Sequence, residues 1–135
     1  MTTVRAVVDA SCVLRGVLDE AEDALAWLDR IERDEVEGLA PDLIYAEVAH
    51  GLLRQVRSRL LTTDQAADVL AAVAGYPLAT TPARLLAGPA CAVAIIEGLT
   101  AYDAHYLVLA RAEDAVLVTA DRELAAAATN SILLE

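Results

Sequence analysis

The sequence predicts an α/β fold built on a parallel sheet. Three observations carry this. Short apolar, β-branched segments alternate along the chain with longer amphipathic ones. Two of the short segments, at 5–8 and 115–119, are solidly apolar rather than alternating, which marks strands buried on both faces. Finally, 135 residues with a 57% hydrophobic composition suffice to bury a core without disulfides or a structural metal. The length predicts a single domain over 1–135, and no internal repeat or linker interrupts it.

Arg5 to Val8 is a β-branched run that ends on Asp9, and it predicts a buried strand. In 19–34, Ala21, Leu25, Leu28 and Ile31 recur on one helical stripe with charges elsewhere. Glu37 to Ala40 is a weaker strand closed by Pro41, and Asp42 is placed to cap a long helix over 43–60. The turn Leu61-Thr62-Thr63-Asp64 leads into a helix over 64–74 that stops at Gly75. Residues 76–82, with two prolines, predict an edge strand. Residues 83–98 are apolar and helical, with Pro89 either kinking one helix or opening a second. Thr100 caps a helix over 101–113. The clearest strand, 115–119, follows, then a short helix over 121–128 and a last edge strand over 132–134.

Charge and composition exclude several chemistries. The net charge is −11, and all ten basic residues are Arg. With no lysine, Schiff-base catalysis, a Walker-type phosphate lysine and a receiver lysine are ruled out. The acidity argues against a generic nucleic-acid binder. The longest apolar stretch, Leu85 to Ile96, is too short to span a bilayer and contains Gly88 and Pro89. No signal peptide is expected at the N-terminus, and Cys12 and Cys91 match no ligand spacing, so a cytoplasmic protein without a membrane role is expected.

In open parallel sheets, sites form beyond the carboxyl ends of the strands. Asp9 follows the first strand in VVDAS, and Asp121 follows the strongest later strand in VTADRE. Asp103 lies in the first turn after Thr100, and Glu47 interrupts an otherwise apolar helical segment. Each acid has an ordinary alternative. Asp9 and Asp121 suit helix caps, Asp103 suits a capping box with Thr100, and Glu47 suits a solvated strip. The joint placement of four acids on one rim is what points to chemistry. Crowded carboxylates raise one another's pKa, and a hard divalent cation, Mg2+ or Mn2+, relieves the crowding. Relief of that repulsion predicts that removing any one acid stabilises the metal-free protein.

The segments VVDAS, PDLIYAEVAHGLLR, LTAYDAHYLVLA and VTADRELA resemble the four acidic motifs of the PIN-domain family, in family order over nearly the whole chain. The chain resembles, within that family, the VapC-type toxins of VapBC toxin–antitoxin systems. The resemblance implies a three-layer α/β/α sandwich with parallel strand order 3-2-1-4-5. It implies a Mg2+- or Mn2+-dependent endoribonuclease acting on tRNA or rRNA, a VapB-type antitoxin partner, and a homodimer or toxin–antitoxin hetero-oligomer. The four family acids map to Asp9, Glu47, Asp103 and Asp121, and supporting hydroxyls map to Ser11 and Thr119. Asp9 and Asp103 are expected to ligate the metal directly. Glu47 and Asp121 are expected to act through water or to position the attacking water. The alternative is a catalytically silent PIN-like module that acts by binding RNA or a partner protein.

Arg54, Arg57 and Arg59 form the only close basic cluster, suited to RNA phosphates or to a helix terminus, and Arg122 is a second candidate. His50 and His105 lack metal-ligand pairing and are expected to be structural. Cys12 lacks nucleophile partners. Trp27 and the four tyrosines are expected to pack in the core or an interface. The apolar surfaces of 43–53 and 64–74 are expected to meet a second copy or the antitoxin.

Overall fold

The computed structural model describes residues 3–135. The elements run β1 (Val4–Val8), α1 (Ala10–Val17), α2 (Glu22–Glu32), β2 (Val36–Pro41), α3 (Ile44–Arg57), α4 (Thr63–Ala74), β3 (Ala79–Thr81), α5 (Ala83–Glu97), α6 (Ala101–Glu113), β4 (Val116–Thr119), α7 (Arg122–Ala127) and β5 (Ser131–Leu133). The strands form one parallel sheet in the order β3-β2-β1-β4-β5, the α/β/α arrangement that the resemblance implies. β1 is central, and Ala6, Val7 and Val8 are fully buried, as expected for a strand covered on both faces. The chain winds outward from β1 through β2 to β3, then returns to lay β4 on the other side of β1. The switch point therefore falls between β1 and β4, and Val8 pairs with Val118 there.

Several predicted details are corrected. A helix, α1, follows Asp9 directly, in a segment to which no element was assigned, and bears out the reading of Asp9 as a helix cap. It buries Cys12, Val13 and Gly16 on one stripe. The stripe of α2 is Ala24, Leu28 and Ile31, while Leu25 is 40% exposed. Glu20 takes a left-handed conformation (φ 50°), so the helix starts later and its face rotates. Asp42 does not cap α3. Its Oδ1 accepts from the Ala83 N–H at 2.8 Å and caps α5 instead, while α3 starts at Leu43 without a side-chain cap. Arg59 is left-handed (φ 60°) beyond the end of α3, not on the helix. α5 is one helix with Pro89 inside it. The proline sits on an exposed face where water reaches the carbonyl it leaves unbonded.

The packing of α1 against α3 places the site. A Cβ at Gly51 would lie 2.5 Å from Leu14 Cδ1, so glycine allows α1 to approach α3 one turn beyond Glu47. Among the described residues, no single helix is long and apolar enough to cross a membrane. The most exposed large apolar side chains of the helices include Leu85, Ile95 and Ile96 of α5, outside the segments 43–53 and 64–74 expected to form an interface. On α3 only Leu53 is comparably exposed, and on α4 none is.

Candidate active site

All four predicted acids line one cavity of about 570 Å³ at the carboxyl edge of the sheet. Asp9 comes from the β1–α1 junction, Asp121 from the β4–α7 junction, Glu47 from α3 and Asp103 from the first turn of α6. None is in an ion pair among the described residues.

Asp9 is 5% exposed and receives three donors. Ser11 Oγ donates to Oδ1 at 2.6 Å, the Cys12 N–H donates to Oδ1 at 3.0 Å, and Thr119 Oγ1 donates to Oδ2 at 2.5 Å. Each hydroxyl also accepts a backbone N–H from the β4–α7 turn: Ser11 from Ala120 at 2.9 Å and Thr119 from Asp121 at 3.0 Å. Asp9 therefore joins the two central strand ends as well as capping α1. Burial still pushes its pKa up, against the three donors, and the charge of Asp121 adds to the rise.

Asp121 caps α7, with Oδ1 accepting from the Leu124 N–H at 3.0 Å. For Asp9 and Asp121, the capping and site roles coincide, because one carboxylate has oxygens for both. Thr100 makes one half of the expected capping box, its hydroxyl accepting from the Asp103 N–H at 3.1 Å. The half-buried Asp103 has a pKa raised by burial and then by Asp121 and Asp9, with the Thr100 hydroxyl opposing. Glu47 is likewise half-buried and raised by burial and by the charges of Asp103 and Asp9.

Glu47 is held by a residue that the sequence reading assigned only to packing. The Tyr106 hydroxyl donates to Glu47 Oε1 at 2.7 Å, and Tyr106 is itself 1% exposed. Burial and then the Glu47 charge drive the Tyr106 pKa far upward, so it remains a donor. Its spacing of three from Asp103 put both on one helical face, a signal available in the sequence. Tyr76 fits the packing expectation, its hydroxyl donating to the Leu28 carbonyl. Tyr102 does not, being 65% exposed at the cavity.

Of the basic cluster, only Arg54 lines the cavity; Arg57, Arg59 and Arg122 do not. His105 is buried, with Nδ1 bonded to the Ala101 carbonyl at 2.5 Å, a structural role. His50 is exposed and lines the cavity. Cys12 is fully buried, and burial and Asp9 push its thiol up to about 12, which removes it as a nucleophile.

Among the described residues, no three acidic, histidine or cysteine side chains converge closely enough to enclose an ion alone. A bound Mg2+ keeps several waters and needs only one or two carboxylates. The donor set fits as well. Asp9 Oδ2 takes one donor and keeps a lone pair, and Tyr106 leaves Glu47 Oε2 free.

A family model described as PIN domain matches residues 6–130. The chain belongs to the PIN-domain family. It is 32% identical over 124 residues to Ribonuclease VapC3 of Pyrobaculum aerophilum, covering 90% of this chain and 93% of that protein. The crystal structure of PAE2754 from Pyrobaculum aerophilum superposes with a TM-score of 0.68 at 28% identity, over 97% of this PIN domain and 90% of that chain. Two more distant structures share the fold. VapBC2 from Rickettsia felis, bound to a promoter DNA fragment, gives a TM-score of 0.69 at 14% identity, covering 98% of this chain and 100% of that one. FitAcB from Neisseria gonorrhoeae gives 0.59 at 19% identity, covering 95% and 96%.

Proposed function

We propose that this protein is a Mg2+- or Mn2+-dependent endoribonuclease, the toxin of a VapBC-type pair that hydrolyses phosphodiester bonds of tRNA or rRNA and is neutralised by a VapB-type antitoxin. The observation that carries the reading is the meeting of four acids from four separate elements in one cavity, none of them in an ion pair among the described residues. Three of them have pKa values raised by burial and by each other, the signature of a site built for a cation. The similarity to a ribonuclease supports RNA as substrate.

Asp9 and Asp103 are the direct ligands. A bound ion of this class supplies an acidified water and neutralises charge on the phosphoryl oxygen. The hydroxyls of Ser11 and Thr119 hold Asp9 in one orientation. Tyr106 holds Glu47 so that Oε2 faces the cavity and takes the proton of the attacking water, a task its raised pKa suits. Asp121 positions water from the opposite side. The protein acts in the cytoplasm, where its RNA and antitoxin are found. A homodimer forms through α5, whose run from Leu85 to Ile96 carries no charge. Two copies each at −11 meet best where neither presents an acid.

Purified protein is expected to cleave RNA with Mg2+ or Mn2+, and Asp9→Asn or Asp103→Asn to abolish cleavage. Cleavage that persists in excess EDTA overturns the reading. Growth arrest by the Asp9→Asn protein expressed without antitoxin favours the silent binding module instead.

A further inference from the structure

We propose that Arg54 and Tyr102 form a seat for one unpaired nucleotide beside the carboxylates. The Arg54 guanidinium holds the phosphate next to the one that is cleaved, and the Tyr102 ring stacks on the attached base. This rests on the reading that RNA is the substrate.

Glu47, His50 and Arg54 stand at i, i+3 and i+7 on α3, so they share one face of the helix, and all three line the cavity. Arg54 lies about 10 Å beyond Glu47 along the helix axis. Helical side chains lean toward the N-terminus, so Arg54 leans back toward the carboxylates. It has no acidic partner among the described residues, whereas Arg5, Arg33 and Arg111 are each paired and Arg30 lies over Trp27. It is also the one arginine that lines this cavity.

Tyr102 precedes Asp103 on α6, lines the same cavity and is 65% exposed. Tyr106, one turn later, is packed and bonded to Glu47. The two tyrosines divide the work between holding an acid and facing the solvent.

Charge explains why such a seat is needed. A chain at −11, with four acids in the cavity, repels a polyanion. A phosphate flanking the reacting one needs a cation from the chain, and Arg54 offers the planar fork that phosphate accepts. Stacking adds affinity independent of charge, and it requires a base free of its helix. A guanidinium and an exposed ring lining one cavity suit a nucleotide.

The test is binding of a fluorescein-labelled single-stranded RNA to the full chain in Mg2+, read by anisotropy and repeated across NaCl concentrations. Arg54→Ala is expected to weaken binding about tenfold and to reduce the salt slope by about 0.7, the share of one phosphate contact on a single strand. Tyr102→Ala is expected to weaken binding about tenfold with the slope unchanged, and Tyr102→Phe to bind within about twofold of the wild type, because the ring carries the effect. Arg84→Ala, which removes an arginine that does not line the cavity, sets the baseline. If Arg54→Ala and Tyr102→Ala bind as Arg84→Ala does, the seat is overturned, even where wild-type cleavage upholds the nuclease. If they weaken binding as stated but the wild type cleaves no RNA, the seat stands and the nuclease reading falls. If Tyr102→Phe loses as much as Tyr102→Ala, or if only binding of an Arg-rich peptide responds, the proposal is wrong.

Discussion

Asp9 and Asp103 face the same cavity, yet the chain holds them by different means. Asp9 is nearly sealed from water and takes three donors, two of them hydroxyls that also bond the β4–α7 turn. Asp103 stands half-buried in a helical turn, with the Thr100 hydroxyl as the neighbour that offsets its burial. Glu47 lies between these extremes, held by Tyr106 alone. The comparison separates two duties of a carboxylate. Asp9 is part of the fold as well as of the site, while Asp103 belongs to the site only. The expectation that removing any acid stabilises the metal-free protein is therefore kept as a prediction for Asp103 and dropped for Asp9, whose donors would lose an anion.

The largest effect is expected from Asp9→Asn. RNA cleavage should fall more than about 100-fold, beyond the range that supporting residues alone reach, as read by steady-state rates in Mg2+. Thr119→Val follows. It strips Asp9 Oδ2 of its donor and leaves the Asp121 N–H unbonded. Stability should drop by about 1–3 kcal/mol in urea titration. Cleavage should fall about 10–100-fold. If Thr119→Val behaves as wild type, Asp9 is no more built in than Asp103 and the comparison collapses.

Tyr106→Phe sharpens the middle case. It removes the donor that lowers the Glu47 pKa, so that pKa rises further. The acidic limb of the pH–rate profile should move to higher pH, with activity down about tenfold at neutral pH. An unmoved limb would show that Glu47 does not carry the titration.

The smallest effect is on stability without metal. Asp103→Asn should raise Tm by a few degrees at neutral pH, while Asp9→Asn should not. The pH dependence has the same origin. Asp9, Glu47 and Asp103 all have folded pKa values above the ordinary ones, so folding takes up protons in the interval between the two. Stability of the metal-free protein should therefore fall as pH rises through that interval, and level off above it. Calorimetric scans between about pH 3.5 and 7.5, across the usual carboxylate range and above it, would show this slope, and excess Mg2+ should flatten it.

The buried strands and the acids that follow them were legible because both rest on local rules. A solid apolar run means two covered faces, and residues after such strands stand at the sheet's carboxyl edge. What escaped reading depends on distant partners. Tyr106 meets Glu47 from 59 positions away, and Asp42 caps a helix 41 positions on. The helix after Asp9 was hidden because its eight residues include Gly16 and three valine or cysteine positions of weak helix propensity. Its packing against α2 and α3 overrides that preference. The basic cluster read as one patch is divided: Arg59 is left-handed beyond the end of α3, Arg57 sits on the last helical turn away from the cavity, and Arg54 alone lines it.

The bond between Thr119 and Asp9 joins residues 110 positions apart in a chain of 135. A copy cut short before Thr119 therefore lacks both the hydroxyl that fixes Asp9 Oδ2 and the strand that pairs with β1, and its first acid is left without a lock.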